Sequence, residues 1–195
     1  MSLHSSHRTA PLAKGVLPRL GGPTFALRHR VLRLLWSLSW LAFARWTPPV
    51  FQPLRRALLS LFGARIHPTA IVRSSARIWW PGNLVMGAHA SLGPGVICYN
   101  VAEIVLEDFA IVSQRAHLCT GTHDIDDPDF PLKARPIHIG RNAWIAAEAF
   151  VGPGVTAEEG SVLGARGVAF RDLKQWTVYA GNPACPKRER RRSAT

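Results

Sequence analysis

From Ile66 onward the chain falls into rows of six residues, and this period limits the possible folds more than any other feature. Each row opens with an aliphatic residue and carries a small one at its fifth place. The openers are Ile66, Val72, Ile78, Met86, Leu92, Cys98, Leu106, Val112 and Leu118, then Ile139, Ile145, Val151, Ala157, Leu163 and Ala169. The fifth places include Ala70, Ala76, Ala90, Ala110, Ala116, Ala143, Ala149 and Gly167, with Gly82, Ala102 and Thr122 closing the third, sixth and ninth rows. A unit this short cannot bury its apolar residue alone; a stack of them can. The phase slips by two residues after the third row, by two after the sixth, and by fifteen (124–138) after the ninth. All slips fall at multiples of three, so three rows make one coil of a triangular prism. The opener of each row points inward and the small residue sits where the chain turns a corner. Coils paired edge to edge about 4.8 Å apart give, for five coils, a prism roughly 24 Å tall. The expected fold class is an all-β parallel β-helix over 66–173, with a loop insertion at 124–138. The repeat does not fix the handedness.

A length of 195 residues allows one domain, or one domain with an appendage. The net charge of +12 is unevenly spread. Residues 1–102 hold twelve Lys/Arg and no Asp or Glu, whereas 103–195 hold twelve of each sign. This argues against a uniform nucleic-acid surface and points to an anionic surface beside the first half. The Arg residues there alternate with an amphipathic apolar pattern, not with a stacking platform for bases, so no nucleic-acid partner is expected. Cys98, Cys119 and Cys185 cannot all pair and show no CxxC spacing, which favours a reducing, cytoplasmic compartment. The longest uncharged apolar run, 34–44, is too short to span a bilayer. It also lies too far from the N-terminus for the usual layout of a cleaved signal.

Outside the prism, residues 1–23 read as a mobile tail. Residues 24–65 read as a helical cap: Thr24 as N-cap of a helix to about Trp46, a stop at Thr47-Pro48-Pro49, and a second helix from Pro53 to Phe62 ending at Gly63. The helices have two compatible uses. They cover the open first coil, or they lie on a membrane surface with Arg28, Arg30, Arg33, Arg45, Arg55 and Arg56 near headgroups and Trp36, Trp40 and Trp46 at the interface. Residues 174–195 form a C-terminal segment and basic tail.

His123 is the leading catalytic candidate. It stands immediately before the fifteen-residue insertion, where a long loop forms a wall or lid. A histidine there can take a proton from a hydroxyl nucleophile.

Several motifs carry a family resemblance over about residues 27–188: Trp79-Trp80-Pro81-Gly82-Asn83-Leu84, Cys98-Tyr99-Asn100-Val101-Ala102, Thr122-His123-Asp124 with the Asp/Pro loop behind it, Ile139-Gly140-Arg141-Asn142-Ala143-Trp144-Ile145, and Ala180-Gly181-Asn182-Pro183-Ala184. The chain resembles the hexapeptide-repeat acyltransferases, and within them the colanic-acid-biosynthesis acetyltransferases, relatives of the maltose and galactoside O-acetyltransferases. The resemblance implies a left-handed β-helix. It also implies acetyl-CoA as co-substrate with no metal, a sugar or lipid-linked oligosaccharide acceptor on the way to a polysaccharide, and a homotrimer with the donor between neighbouring prisms. Carried over, His123 is the general base and a backbone N–H stabilises the oxyanion. Asn100 and Glu103 face the acceptor, and Asp124 either orients His123 or shapes the loop. Trp144, Ala147 and Ala165 line the pantetheine; core packing would explain the two alanines equally well. Lys187 and Arg188 meet the nucleotide phosphates. Cys185-Pro186 stands where the family pattern has Arg, which weakens that last assignment.

Two other readings use the same prism. A γ-type carbonic anhydrase needs three histidines on one zinc, and His89, His117 and His123 are present. His117 and His123, six apart, would sit a full side apart, too far to share a metal at about 2.0–2.1 Å within one chain. A non-catalytic scaffold held at a membrane is the second.

Overall fold

The computed structural model describes residues 9–11 and 23–191. Helix α1 (Leu27–Phe43) is followed by a 3-10 turn (Pro49–Phe51) and helix α2 (Gln52–Leu61). The first coil is β1 (Arg65–Ile66), β2 (Ile71–Val72) and β3 (Arg77–Ile78); the second is β4 (Leu84–Met86), β5 (Ser91–Leu92) and β6 (Ile97–Tyr99). The third is β7 (Ile104–Leu106), β8 (Ile111–Val112) and β9 (His117–Cys119). A hairpin, β10 (Gly121–His123) and β11 (Leu132–Ala134), interrupts the prism. The fourth coil is β12 (Ile137–Ile139), β13 (Trp144–Ile145) and β14 (Phe150–Val151); the fifth is β15 (Thr156–Ala157), β16 (Val162–Leu163) and β17 (Val168–Ala169). Leu173 then bridges to Ala157, and β18 (Thr177–Ala180) pairs with β16, so a partial sixth turn follows the five expected coils. Strand β19 (Cys185–Glu189) returns antiparallel to β18. Part of the basic C-terminal run is therefore strand and not tail.

The first side of the prism is β1-β4-β7-β12-β15, the second is β2-β5-β8-β13-β16-β18-β19, and the third is β3-β6-β9-β14-β17. All pairs within the coils are parallel. Every row opener from Val72 onward is buried, because a strand two or three residues long turns alternate side chains in and out. The corners show a rule beyond the small fifth place. From the second coil onward the fourth residue of each row on the first and second sides takes the left-handed conformation: His89, Phe109, Arg115, Asn142, Glu148 and Arg166 have φ of 56–59°. Gly95, Gly154 and Gly160 fill the same place at no steric cost. From the third coil onward the N–H of such a residue on the first two sides donates to the third-place carbonyl one coil earlier, as from Arg166 to Ala147, whereas His89 and Gly95 in the second coil donate to the hydroxyl oxygens of Thr69 and Ser75. The corners are thus hydrogen-bonded like the sides.

The three slips stack at one corner, from the third side to the first. There Asn83, Asn100 and Thr120 form a buried polar column. Asn83 Nδ2 donates to the Asn100 and Val101 carbonyls (3.1 and 2.7 Å). Thr120 Oγ1 donates to Tyr99 O and accepts from Ala102 N–H. Within the segment expected to be a mobile tail, Thr9 bridges to Ala102 and Ala10 N–H donates to Val101 O at this same corner. The rest of that segment, 1–8 and 12–22, lies outside the described residues.

Both helices serve as the cap. The first coil has no coil beneath it, and a bare strand edge leaves backbone groups unpaired. Side chains meet them: Trp36 Nε1 donates to Ile78 O (2.8 Å), Arg55 Nε to Val72 O (2.9 Å) and Arg56 to Ala70 O (3.2 Å), while Gln52 Oε1 accepts from Val72 N–H (3.1 Å). This corrects the expected membrane set. Trp36, Trp40 and Arg55 are buried against the prism, and Arg33 lies over the Trp79 ring at 3.9 Å. The N-cap of α1 is Ala26 and not Thr24, since Phe25 packs on Trp79 and His29 and sets the entry of the chain. Among the described residues no helix is long and apolar enough to cross a membrane.

Candidate active site

The ninth row does not close on a corner. After Thr120 the chain leaves the prism, so Thr122, expected as a corner residue, is exposed on the hairpin. The insertion is a β-arm with His123 opposite Leu132. Gly121 roots it: a Cβ there would meet Tyr99 Cε1 at 2.8 Å, so only glycine lets the arm leave past Tyr99.

The His123 ring stacks on Phe130 at 4.5 Å and 11°, and its Nδ1 lies 2.9 Å from the Phe130 carbonyl. A carbonyl oxygen has no proton to give, so Nδ1 carries the hydrogen and donates. In the neutral ring Nε2 is then the lone-pair nitrogen, which is the tautomer a general base needs. Phe130 holds a positive φ of 49°, which turns its carbonyl to the ring. Sequence reading missed Phe130; only the fold of the arm brings residues seven apart together. The Asp124 carboxylate pairs with Lys133 across the arm at 2.5 Å, and this hydrogen bond holds its carboxyl below the usual range.

Asn100 and Glu103, expected to face the acceptor, have fully buried side chains. Asn100 Oδ1 accepts from Trp80 N–H (3.0 Å) and its Nδ2 donates to Trp80 O (2.6 Å), locking two coils together. Glu103 pairs with Arg65 at 2.6 Å. Both act in the corner from which the arm leaves.

Ala147 and Ala165 occupy the third place of their rows, one coil apart, at the corner between the second and third sides. Ala147 is half-buried and Ala165 exposed, so core packing does not explain either; the core alanine is the neighbouring Ala146. Beside them Arg115, Glu148 and Arg166, from three successive coils, form a surface ladder in which Glu148 accepts from both arginines. Trp144 is exposed on the second side with its Nε1 donating to Ser113 Oγ (2.9 Å). Lys187 and Arg188 are exposed on β19, at the top of that side, with Lys187 in a bulge opposite Val178 and Tyr179. The residues expected on the donor side thus share one flank. The chain does not bring His123 to them: the whole third side lies between, up to about 20 Å for six residues at ~3.3 Å each. His117 stays on β9 against Phe150 while His123 is on the arm, so the two do not occupy equivalent sides. Among the described residues no three His, Cys, Asp or Glu side chains are placed to hold a metal.

No protein-family model matches the chain. Over 159 residues it is 40% identical to WcaF of Escherichia coli (strain K12), named for acetyl transfer in colanic acid biosynthesis; the match covers 82% of this chain and 87% of that one. The chain belongs to this acetyltransferase family. Two solved structures share its fold. A maltose O-acetyltransferase from Clostridium difficile 630 superposes with a TM-score of 0.74 at 22% identity, covering 89% of this chain and 95% of that one. A hexapeptide-repeat acetyltransferase from Vibrio cholerae O1 biovar eltor, solved with acetyl coenzyme A, gives 0.74 at 22% identity over 88% and 96%. The family fold is the left-handed parallel β-helix, and in this acetyltransferase it bears an arm and a helical cap.

Proposed function

We propose that the protein moves an acetyl group from acetyl-CoA to a sugar hydroxyl of a polysaccharide precursor, with His123 as general base. The observation that carries this reading is the pinned Nδ1 of His123, which leaves Nε2 to accept a proton. Nε2 takes the proton of the sugar hydroxyl as its oxygen attacks the thioester carbonyl carbon. The carbon–sulfur bond then breaks, and the imidazolium returns its proton to the departing thiolate, giving the acetyl ester and free CoA. The pantetheine runs along the Ala147–Ala165 corner beside Trp144, and Lys187 and Arg188 meet the nucleotide phosphates. No step in this chemistry calls on a metal.

One chain holds the base and the donor corner a full side apart. A homotrimer of prisms packed side by side would set the arm of one subunit against the donor corner of the next, which supports the trimer reading. The test is acetyl-CoA binding by calorimetry beside thiol release with a panel of sugars, for the full chain and His123→Ala. Binding by both proteins, with release lost in the variant, is the expected result. Absence of acetyl-CoA binding by the wild type sinks the transferase reading and favours the scaffold.

A membrane contact fits a different face from the one expected in the sequence. Leu27, Val31, Leu34, Leu38 and Leu41 recur at spacings of four and three along α1 and are all exposed. Trp46, Val50 and Leu61 extend the patch at 78–79% exposure. Arg28, Arg30 and Arg45 are exposed in the same helical region, and no carboxylate lies anywhere in 1–102. An anionic bilayer matches both features. Leu34→Gln/Leu38→Gln/Leu41→Gln should abolish binding to vesicles containing phosphatidylglycerol. Unchanged vesicle binding, or a change in oligomer size instead, excludes the bilayer as occupant.

A further inference from the structure

Between α1 and the third side of the first two coils lies an open cavity of about 320 Å³. Its walls include three guanidinium groups, Arg33, Arg45 and Arg77, and the aromatic side chains of Trp36, Trp79 and Tyr99. No carboxylate lines it. Some of this charge is held in place: Arg33 is half-buried, stacked at 3.9 Å on Trp79, and its Nε is buried with no acceptor. Stacking uses the face of a guanidinium and leaves its in-plane N–H edge for oxygen acceptors. Trp40, also in the wall, has its indole N–H buried without a protein acceptor. A wall of donors without a counter-charge, one of them held by stacking, suits an anion rich in oxygen. The aromatic surfaces beside it suit the apolar face of a sugar ring.

The position of the cavity links it to the arm. Trp79 meets Tyr99 edge-on at 5.7 Å. Tyr99 pairs in register with Cys119 on the next strand and abuts Gly121, two residues before His123. The cavity wall and the base are thus separated by about 7 Å of chain.

We propose that this cavity is a subsite for a phosphate-linked sugar, with the phosphate or diphosphate on Arg33, Arg45 and Arg77 and the sugar against the aromatic wall. The acceptor would then run along the third side from the cavity toward His123. The proposal rests on the acetyl-transfer reading and narrows its acceptor to a glycosyl phosphate. Such a ligand has two sources, a nucleotide sugar or a lipid-linked diphosphate sugar, and the test separates them.

The full chain is titrated with glucose 1-phosphate, UDP-glucose and polyprenyl-diphosphate glucose in micelles, following tryptophan fluorescence. Free glucose and acetyl-CoA serve as controls. Saturable binding of at least one phosphorylated sugar is expected, weakened at least tenfold in Arg33→Gln/Arg77→Gln with acetyl-CoA affinity retained. Tighter binding of the UDP or the polyprenyl probe names the source. Should the double variant also lose acetyl-CoA, Arg77→Gln alone, at an exposed position, decides with a threefold or greater loss. Equal affinity in the variants, or no saturable binding of any phosphorylated sugar to the wild type, overturns the subsite. Binding of the sugars with no acetyl-CoA binding by the wild type would instead overturn the transferase reading and leave the subsite standing.

Discussion

Two corners of the prism are built from the same six-residue rows and behave differently. The corner between the second and third sides has no slip. From the second coil onward its fourth-place residues turn left-handed, its third places stack in a column from Pro94 to Ala165, and it offers an unbroken flank. The corner between the third and first sides takes every slip. It needs Asn83, Asn100 and Thr120 to satisfy its backbone, and it releases the arm that carries His123. Regular repetition makes a surface suited to a long ligand lying across several coils. Interruption places one particular side chain at one particular point. The proposed reaction uses both, and a single chain holds them on opposite ends of one side.

The largest effect is expected at the interrupted corner. His123→Ala should lower kcat by 10²–10⁴-fold while acetyl-CoA affinity stays within twofold, measured by thiol release and calorimetry. Loss of acetyl-CoA binding in this variant would contradict the separation of the corners. Next in size is Asn100→Ala, which orphans the Trp80 N–H and carbonyl in a buried site. A stability loss of about 3 kcal/mol follows, readable by urea denaturation, whereas Ala165→Ser at the regular corner should cost under about 0.5 kcal/mol.

A third test asks whether the corners meet between chains. Ala165→Arg should obstruct the donor flank and His123→Ala should remove the base, leaving each homo-oligomer inactive. Unfolded together and refolded as mixtures, they should recover up to a quarter or so of wild-type activity if sites are shared between subunits. No recovery from well-mixed oligomers would place each site within one chain. The smallest effect concerns pH. Burial, with the Arg33 charge adding to it at His29, holds the His29 and His117 rings below the usual value of 6.5. The unfolded chain therefore binds protons below about pH 6.5 that the folded chain does not, so stability falls as pH drops from that value and is full above it. A melting temperature that is flat between pH 7 and 5, or one unaffected by His29→Phe and His117→Phe, would remove both rings from this role.

The row openers made the prism legible because burial of alternate residues leaves a period in the sequence. The slips at multiples of three located the arm, and His123 stood at its root. The corner rule at the fourth place left no mark, since His, Phe, Arg, Asn, Glu and Gly all occupy it; the backbone conformation, not the side chain, is shared. The cap was harder to apportion. Trp36, Trp40 and Arg55 have the composition of an interfacial helix, yet the strand edge of the first coil claims them, and the exposed leucines remain for the outside. Composition lists which groups a helix carries, whereas burial depends on which partner reaches each face.

The sequence by itself determined the six-residue period, its grouping into three-sided coils and the place of the interruption, because a local period and a local break need no distant partner to be read. Tertiary structure alone decided the tautomer of His123, the inward use of Asn100 and Glu103, the surface position of Ala147 and Ala165, and the arginine cavity beneath α1. Each of these depends on contacts between residues far apart in the chain or on the turn of a single carbonyl, and neither is written in the pattern of residue types.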